Sequence, residues 1–236
     1  MKFSRTLVEG RLLRRYKRFL ADIQLPDGVI TASCPNTGSM MGCCEPGSRV
    51  WLSESDSATR KYRHTWELVE VEGEVVVGIN TGLPNALVAE AIAEGTIREL
   101  RGYSAVRREV AFGEERSRVD LLLEADGREP CYVEVKNVTA AASRGVALFP
   151  DCVSERGTKH LRELIRLKAL GARPVQLYCV QRGDVKEVRP ADGIDFEYGR
   201  MLREAIAAGV EVLAYRAKVT PTEIRLEEKI PVVTPA

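Results

Sequence analysis

The chain has 236 residues, of which 44% are hydrophobic and 29% charged, and a formal net charge of +1. That is the composition of a folded globular protein of one large or two ordinary domains. No apolar run approaches the roughly 20 residues that cross a bilayer as a helix, and the opening MKFSRTLVEG lacks the apolar stretch of a secretory signal, so a cytoplasmic protein with no membrane partner is expected.

The first part of the chain reads as short strands broken by turns. Leu12–Leu25 mixes basic and apolar residues in one extended stretch and closes on the turn Pro26-Asp27-Gly28. Val29–Cys34 is the next strand, followed by Pro35-Asn36-Thr37-Gly38-Ser39, an ordered loop by its turn residues. Arg49–Ser53, His64–Glu72 and, after Gly73, Glu74–Ile79 complete the set. Short strands at this density predict a small closed barrel of the OB type.

The pattern changes after Gly82-Leu83-Pro84, which places a domain boundary near residue 82 and divides the chain into residues 1–82 and 83–236. Asn85–Glu94 has helical spacing and Gly95 to end it. Strands over Ser104–Phe112, Arg118–Glu124 and Cys131–Val138 follow as a meander, turned by Gly113-Glu114-Glu115 and Asp126-Gly127. An amphipathic helix over Thr158–Leu170 stops at Gly171, and the apolar strand Val175–Val180 comes next. Phe196–Ala208 is a second amphipathic helix, ended by Gly209, and Val210–Tyr215 is the last strand. The order α-β-β-β-α-β-α-β predicts a mixed sheet flanked by helices.

Two strands of that meander carry the chemistry. Asp120 interrupts the apolar run Val119–Leu123, where burial disfavours its charge unless something compensates. In Tyr132-Val133-Glu134-Val135-Lys136, strand alternation puts Glu134 and Lys136 on one face. Two carboxylates and a backbone carbonyl suit Mg²⁺ or Mn²⁺, and a lysine beside them can orient water or stabilise charge on a phosphate. Asp120, Glu134 and Lys136 are therefore the catalytic candidates, with the two acids as metal ligands. Taken alone, D…ExK reads more readily as a capping or ion-paired Asp120 with an ordinary exposed cross-strand pair at Glu134 and Lys136. The surrounding order of elements is that of the PD-(D/E)XK nuclease fold, here without the Pro-Asp dipeptide.

That fold adds an acid from its first helix. Glu90 is the choice, with Glu99 the competitor and Glu94, near the helix end, third. Downstream, Arg156 and Lys159 at the start of a helix are placed to meet a phosphate. His160 is assigned a structural role. The six cysteines show no CxxC pair and fit reduced thiols rather than a zinc site.

Residues 1–20 hold Lys2, Arg5, Arg11, Arg14, Arg15, Lys17 and Arg18 against Glu9, a local charge of +6 that leaves −5 for the rest. Arg14, Arg15, Tyr16, Lys17 and Arg18, with Phe19, interleave cations and aromatics, and Lys61 and Arg63 around Tyr62 repeat the combination. Cations along a backbone and aromatics stacked on bases are how OB barrels hold nucleic acid.

Several stretches together resemble the sugar fermentation stimulation protein A (SfsA) family: RRYKRFLADI (14–23), CPNTGSM (34–40), RKYRHTWEL (60–68), ERSRVDLLLE (115–124), CYVEVKNVT (131–139), FPD (149–151) and SERGTKHLREL (154–164). Ser33, before CPNTG, stands where some relatives are expected to have histidine. The resemblance implies an OB-fold domain followed by a PD-(D/E)XK-like domain, largely sequence-independent DNA binding, and a regulatory role in sugar (maltose) metabolism. The alternative is an active Mg²⁺- or Mn²⁺-dependent nuclease that hydrolyses phosphodiesters at Asp120, Glu134 and Lys136. RNA is the weaker nucleic-acid partner, and the oligomeric state stays open, a dimer included.

Overall fold

The computed structural model describes residues 1–72, 75–112, 117–143 and 145–235. Val8–Tyr16 (β1) and Leu20–Leu25 (β2) form an antiparallel hairpin. Between them Lys17 and Arg18 take left-handed φ values of 50° and 64°, the backbone of a tight hairpin turn. The stretch 12–25, expected as one segment, is thus two strands. Its turn carries two cations in place of the Asn-Gly that would announce it.

Gly28–Ser33 (β3), Arg49–Glu54 (β4), His64–Val71 (β5) and Val75–Gly78 (β6) complete a sheet of order β3-β2-β1-β4-β5-β6. Ser33 of β3 also pairs with Thr65 of β5, which closes the first five strands into the expected OB barrel. Leu12, Ile23, Ala32, Val50, Leu52, Trp66 and Val69 fill its interior. The turn at Gly73 and the strand start at Glu74 lie outside the described residues, as does the turn Gly113-Glu114-Glu115.

Pro84–Ala93 forms α1, begun by a proline whose fixed φ suits a first helical turn. Ala105–Phe112 (β7), Ser117–Glu124 (β8) and Cys131–Val138 (β9) make the expected meander. Ala141–Ser143 (β10) and Gly145–Phe149 (β11) follow, then Glu155–Ala169 (α2), Arg173–Val180 (β12), Val185–Pro190 (β13), Phe196–Ala207 (α3), Glu211–Val219 (β14) and Ile224–Ile230 (β15). The main sheet has order β15-β14-β12-β9-β8-β7, and β10, β11 and β13 form a second, three-stranded sheet. The strands β10, β11, β13 and β15 have no counterpart among the expected elements, because they are short or too polar to show a period. By contrast β12, buried along nearly its whole length, has the continuous apolar character of a parallel strand covered on both faces.

One face of this sheet packs on α1 through Leu87, Leu121, Val133 and Leu177. The other packs on α2 and α3 through Leu122, Leu161, Leu164, Tyr198 and Leu202. Ser154 Oγ accepts from the Gly157 amide (3.0 Å), and Asp195 accepts from Tyr198 N (2.9 Å) and Ser154 N (2.8 Å). These linked N-caps start α2 three residues before the expected Thr158 and fix both helices together.

The barrel and the second sheet system share core and backbone. Leu7, Trp51 and Leu68 join the cluster that holds Leu87 and Leu226. Gly78 N donates to Gln181 O at 2.9 Å, and the Met1 amine reaches Ile224 O at 2.7 Å. The six cysteines are free thiols, and no helix among the described residues is long and apolar enough to cross a membrane.

Candidate functional site

The register of β7, β8 and β9 lines up the acids. Leu121 pairs with Val133, and continuing that register by one residue sets Asp120 opposite Glu134. Beyond this point the strands part, and Asp120 Oδ2 accepts from the Val135 amide at 2.7 Å while Oδ1 accepts from Asn85 Nδ2 at 2.8 Å. On the far side β12 places Gln176 beside Glu134, and Gln176 Nε2 donates to the Glu134 carbonyl (3.2 Å).

Glu134 is buried, with 2% of its surface exposed. Its Oε1 takes both available donors: Lys136 Nζ at 2.7 Å and the Nδ1 of His160. Arg156 Nε lies 3.3 Å from His160 Nε2. This arrangement assigns Nε2 as the acceptor and Nδ1 as the protonated nitrogen that donates to Glu134. Glu134 Oε2, equally buried, has no hydrogen-bond partner.

The two acids are therefore shifted in opposite directions. Burial raises the Glu134 carboxyl, but the Lys136 cation and the His160 hydrogen bond outweigh it and hold the group below its ordinary range. Burial raises Asp120, and the charge on Glu134 raises it further, against partial relief from Val135 N–H and Asn85. The two carboxylates, one carrying an unpartnered oxygen, are hard-oxygen groups of the kind that could serve a divalent cation.

Glu90 lies elsewhere. Its carboxylate pairs with the Met1 amine at 2.6 Å, and the α1 residue that reaches Asp120 is Asn85, one turn earlier. Glu99 accepts from Tyr215 and pairs with Lys229, while Glu94 caps the C-terminus of α1. No group of three or more His, Cys, Asp or Glu side chains close enough to hold a metal occurs among the described residues. At the start of α2 Ser154 Oγ accepts from the Gly157 amide and Asp195 from Ser154 N, and the exposed Arg156 sets its Nε against His160. His160, expected in a structural role, is buried and bonded to Glu134. It is separated from that residue by 26 positions in the chain, and only the crossover through α2 brings the two together.

On the barrel, Lys17 and Arg18 form the exposed tip of the β1–β2 hairpin, with Phe19, 52% exposed, beside them. The expected single strand with cations on both faces is thus a loop tip. Arg14 pairs with Asp22 at 2.8 Å and stacks over Tyr16. Arg15 is a clamp: its guanidinium donates to the carbonyls of Arg18, Asn36 and Gly38 at 2.8–2.9 Å. Lys61 stacks on Tyr62, and Arg63 pairs with Glu54 at 3.4 Å. The clamped loop meets the second domain where Ser39 Oγ and Met40 N donate to Asp151 (3.1 and 3.0 Å). A cleft of about 350 Å³ opens there, lined by Asn36, Thr37, Asn137, Thr139, Asp151 and Ser154.

An OB barrel joined to a PD-(D/E)XK-like sheet with its Asp…Glu-x-Lys arrangement defines a two-domain protein of nuclease-like architecture. Residues 13–79 match the SfsA N-terminal OB domain and residues 82–223 the sugar fermentation stimulation protein RE domain. The chain belongs to the sugar fermentation stimulation protein family. A sugar fermentation stimulation protein homolog of Thioalkalivibrio sulfidiphilus is 61% identical over 98% of each chain. One from Geobacter metallireducens is 59% identical over 99% of this chain and all of that protein. The solved structure of Pyrococcus furiosus SfsA in complex with Ca²⁺ matches with a TM-score of 0.87 at 28% identity, covering 99% of this chain and 98% of that one.

Proposed function

We propose that this chain is a DNA-binding protein, largely indifferent to sequence, that carries a nuclease-type divalent-cation site on its central sheet. The observation that carries the reading is Glu134, a buried carboxylate with one oxygen held by Lys136 and His160 and the other without a partner. The Ca²⁺ complex of the Pyrococcus furiosus relative supports the cation. Asp120 and Glu134 would hold Mg²⁺ or Mn²⁺, which would offset phosphate charge and acidify a bound water. Lys136 keeps Glu134 ionised and holds a cation near any phosphate that enters. Lys17, Arg18 and Phe19 on the barrel supply charge and a stacking face for a nucleic-acid backbone. A role in maltose metabolism follows the family name and needs no additional group in this site.

Lys136 favours a second reading, an active nuclease, because a lysine beside the acids can stabilise the charge that develops on a phosphate during hydrolysis. Incubation with single-stranded, duplex and branched DNA and with RNA in Mg²⁺ or Mn²⁺ separates the two. Cleavage that disappears in Glu134→Gln and Lys136→Ala establishes the nuclease. Salt-sensitive binding without cleavage of any substrate leaves the binding protein, and absence of binding to every substrate refutes both.

A further inference from the structure

Glu109 lies in the middle of β7 with φ = 52°. The other described non-glycine residues at positive φ (Lys17, Arg18 and Met40) are in turns or loops, so Glu109 is the one inside a strand. That backbone ordinarily belongs to glycine. Its flanking residues stay in register, Arg108 with Leu121 and Val110 with Val119, which sets Glu109 directly opposite Asp120. Like charges opposite one another across two strands repel. The sequence thus places a carboxylate where both backbone and electrostatics oppose it.

Its neighbours show what would reverse the opposition. Asn85 Nδ2 donates to Asp120 Oδ1 at 2.8 Å and to Glu109 Oε1 at 3.3 Å, so one amide is shared by two acids. Independently of this pair, Glu134 presents a buried oxygen without any partner. Register places Glu109, Asp120 and Glu134 in one row across β7, β8 and β9.

We propose that Glu109 is the third carboxylate of the divalent-cation site, taking the part that the fold ordinarily gives to an acid on the first helix, with Asn85 as the helix residue that positions it. Glu109 is exposed and bonded to Asn85, whereas Asp120 and Glu134 are held by Val135 N and by Lys136 and His160. The inference rests on the cation reading above, and its test separates the two.

Mn²⁺ is titrated calorimetrically into chelator-stripped full-length protein, as wild type, Glu134→Gln, Glu109→Gln and Glu109→Gly. The expected result is a loss of Mn²⁺ affinity of at least about tenfold in both Glu109 variants. Glu109→Gly should melt no lower than wild type without metal, because glycine accepts the left-handed backbone; the lost affinity is then not lost folding. Wild-type affinity in both Glu109 variants, alongside abolished binding in Glu134→Gln, overturns the role of Glu109 and leaves the cation site standing. If wild type itself binds no Mn²⁺, the cation reading falls and this inference falls with it.

Discussion

Replacing Lys136 by methionine removes one of the two donors that keep Glu134 ionised while keeping an unbranched side chain only one atom shorter. Glu134 and Lys136 have side-chain exposures of 3% and 12%, so solvent cannot stand in for the lost partner. Breaking a buried ion pair from one side costs about 3–5 kcal/mol. The lower figure applies here, because His160 remains on the same oxygen. A loss of about 3 kcal/mol corresponds to a fall in Tm of about 10 °C for a chain of this size. The pH dependence fixes the cause. In wild type the Glu134 carboxyl is held low, so its stabilisation is present above its unfolded pKa and is lost as pH falls through the folded one. In Lys136→Met, burial is opposed by His160 alone and the folded pKa rises. The penalty is then full at high pH and relieved as pH falls through that raised value. Thermal melts from pH 4.5 to 8.5 in EDTA should therefore show the gap between variant and wild type narrowing toward acid. A gap that is constant across this range would mean that lost packing, not the uncompensated carboxylate, is responsible, and the charge assignment at Glu134 would be wrong.

The basic hairpin tip is tested by Lys17→Ala with Arg18→Ala, read by fluorescence anisotropy on labelled duplex DNA over a NaCl series. Removing two phosphate contacts should lower the slope of log K against log salt by about 2; an unaltered slope takes this tip out of the interface. Arg15→Ala should behave differently, because its guanidinium is committed to the carbonyls of Arg18, Asn36 and Gly38. A stability loss of about 1.5–3 kcal/mol by urea denaturation is expected, and a stability equal to wild type would refute the clamp. Glu90→Gln breaks only a part-exposed pair with the Met1 amine. It should leave Mn²⁺ affinity untouched and cost under about 1 kcal/mol, and a loss of affinity would restore Glu90 to the site.

What the sequence reveals of this protein depends on which kind of backbone carries each residue. Glu134 and Lys136 share a strand, and strand parity alone puts them on one face, so their pairing is legible from five consecutive residues. Asp120 can be placed near them because a short turn joins the two strands. The barrel is legible in the density of short strands, although its first turn is not: Lys17 and Arg18 adopt left-handed φ without the residues that advertise it. Helical acids offer no such parity. Glu90 and Asn85 are five residues apart on α1 and point in different directions, and only the Met1 amine on one side and Asp120 on the other decide which belongs where.

His160 and Glu109 are hidden for two further reasons. His160 reaches Glu134 because α2 starts at Ser154, and that start depends on a carboxylate, Asp195, that comes 41 residues later in the chain. A helix phase set by so distant a partner cannot be recovered from local pattern. Glu109 sits in a run of arginines and valines that reads as an ordinary edge strand, and its signal is its φ, a property that composition does not encode. Both residues are placed by contacts that form only after the sheet has assembled. A nuclease-like site of this kind is thus legible in its strand-borne half, where period two does the positioning. It is opaque in the half contributed by helices and irregular backbone, and that half determines how firmly Glu134 is held.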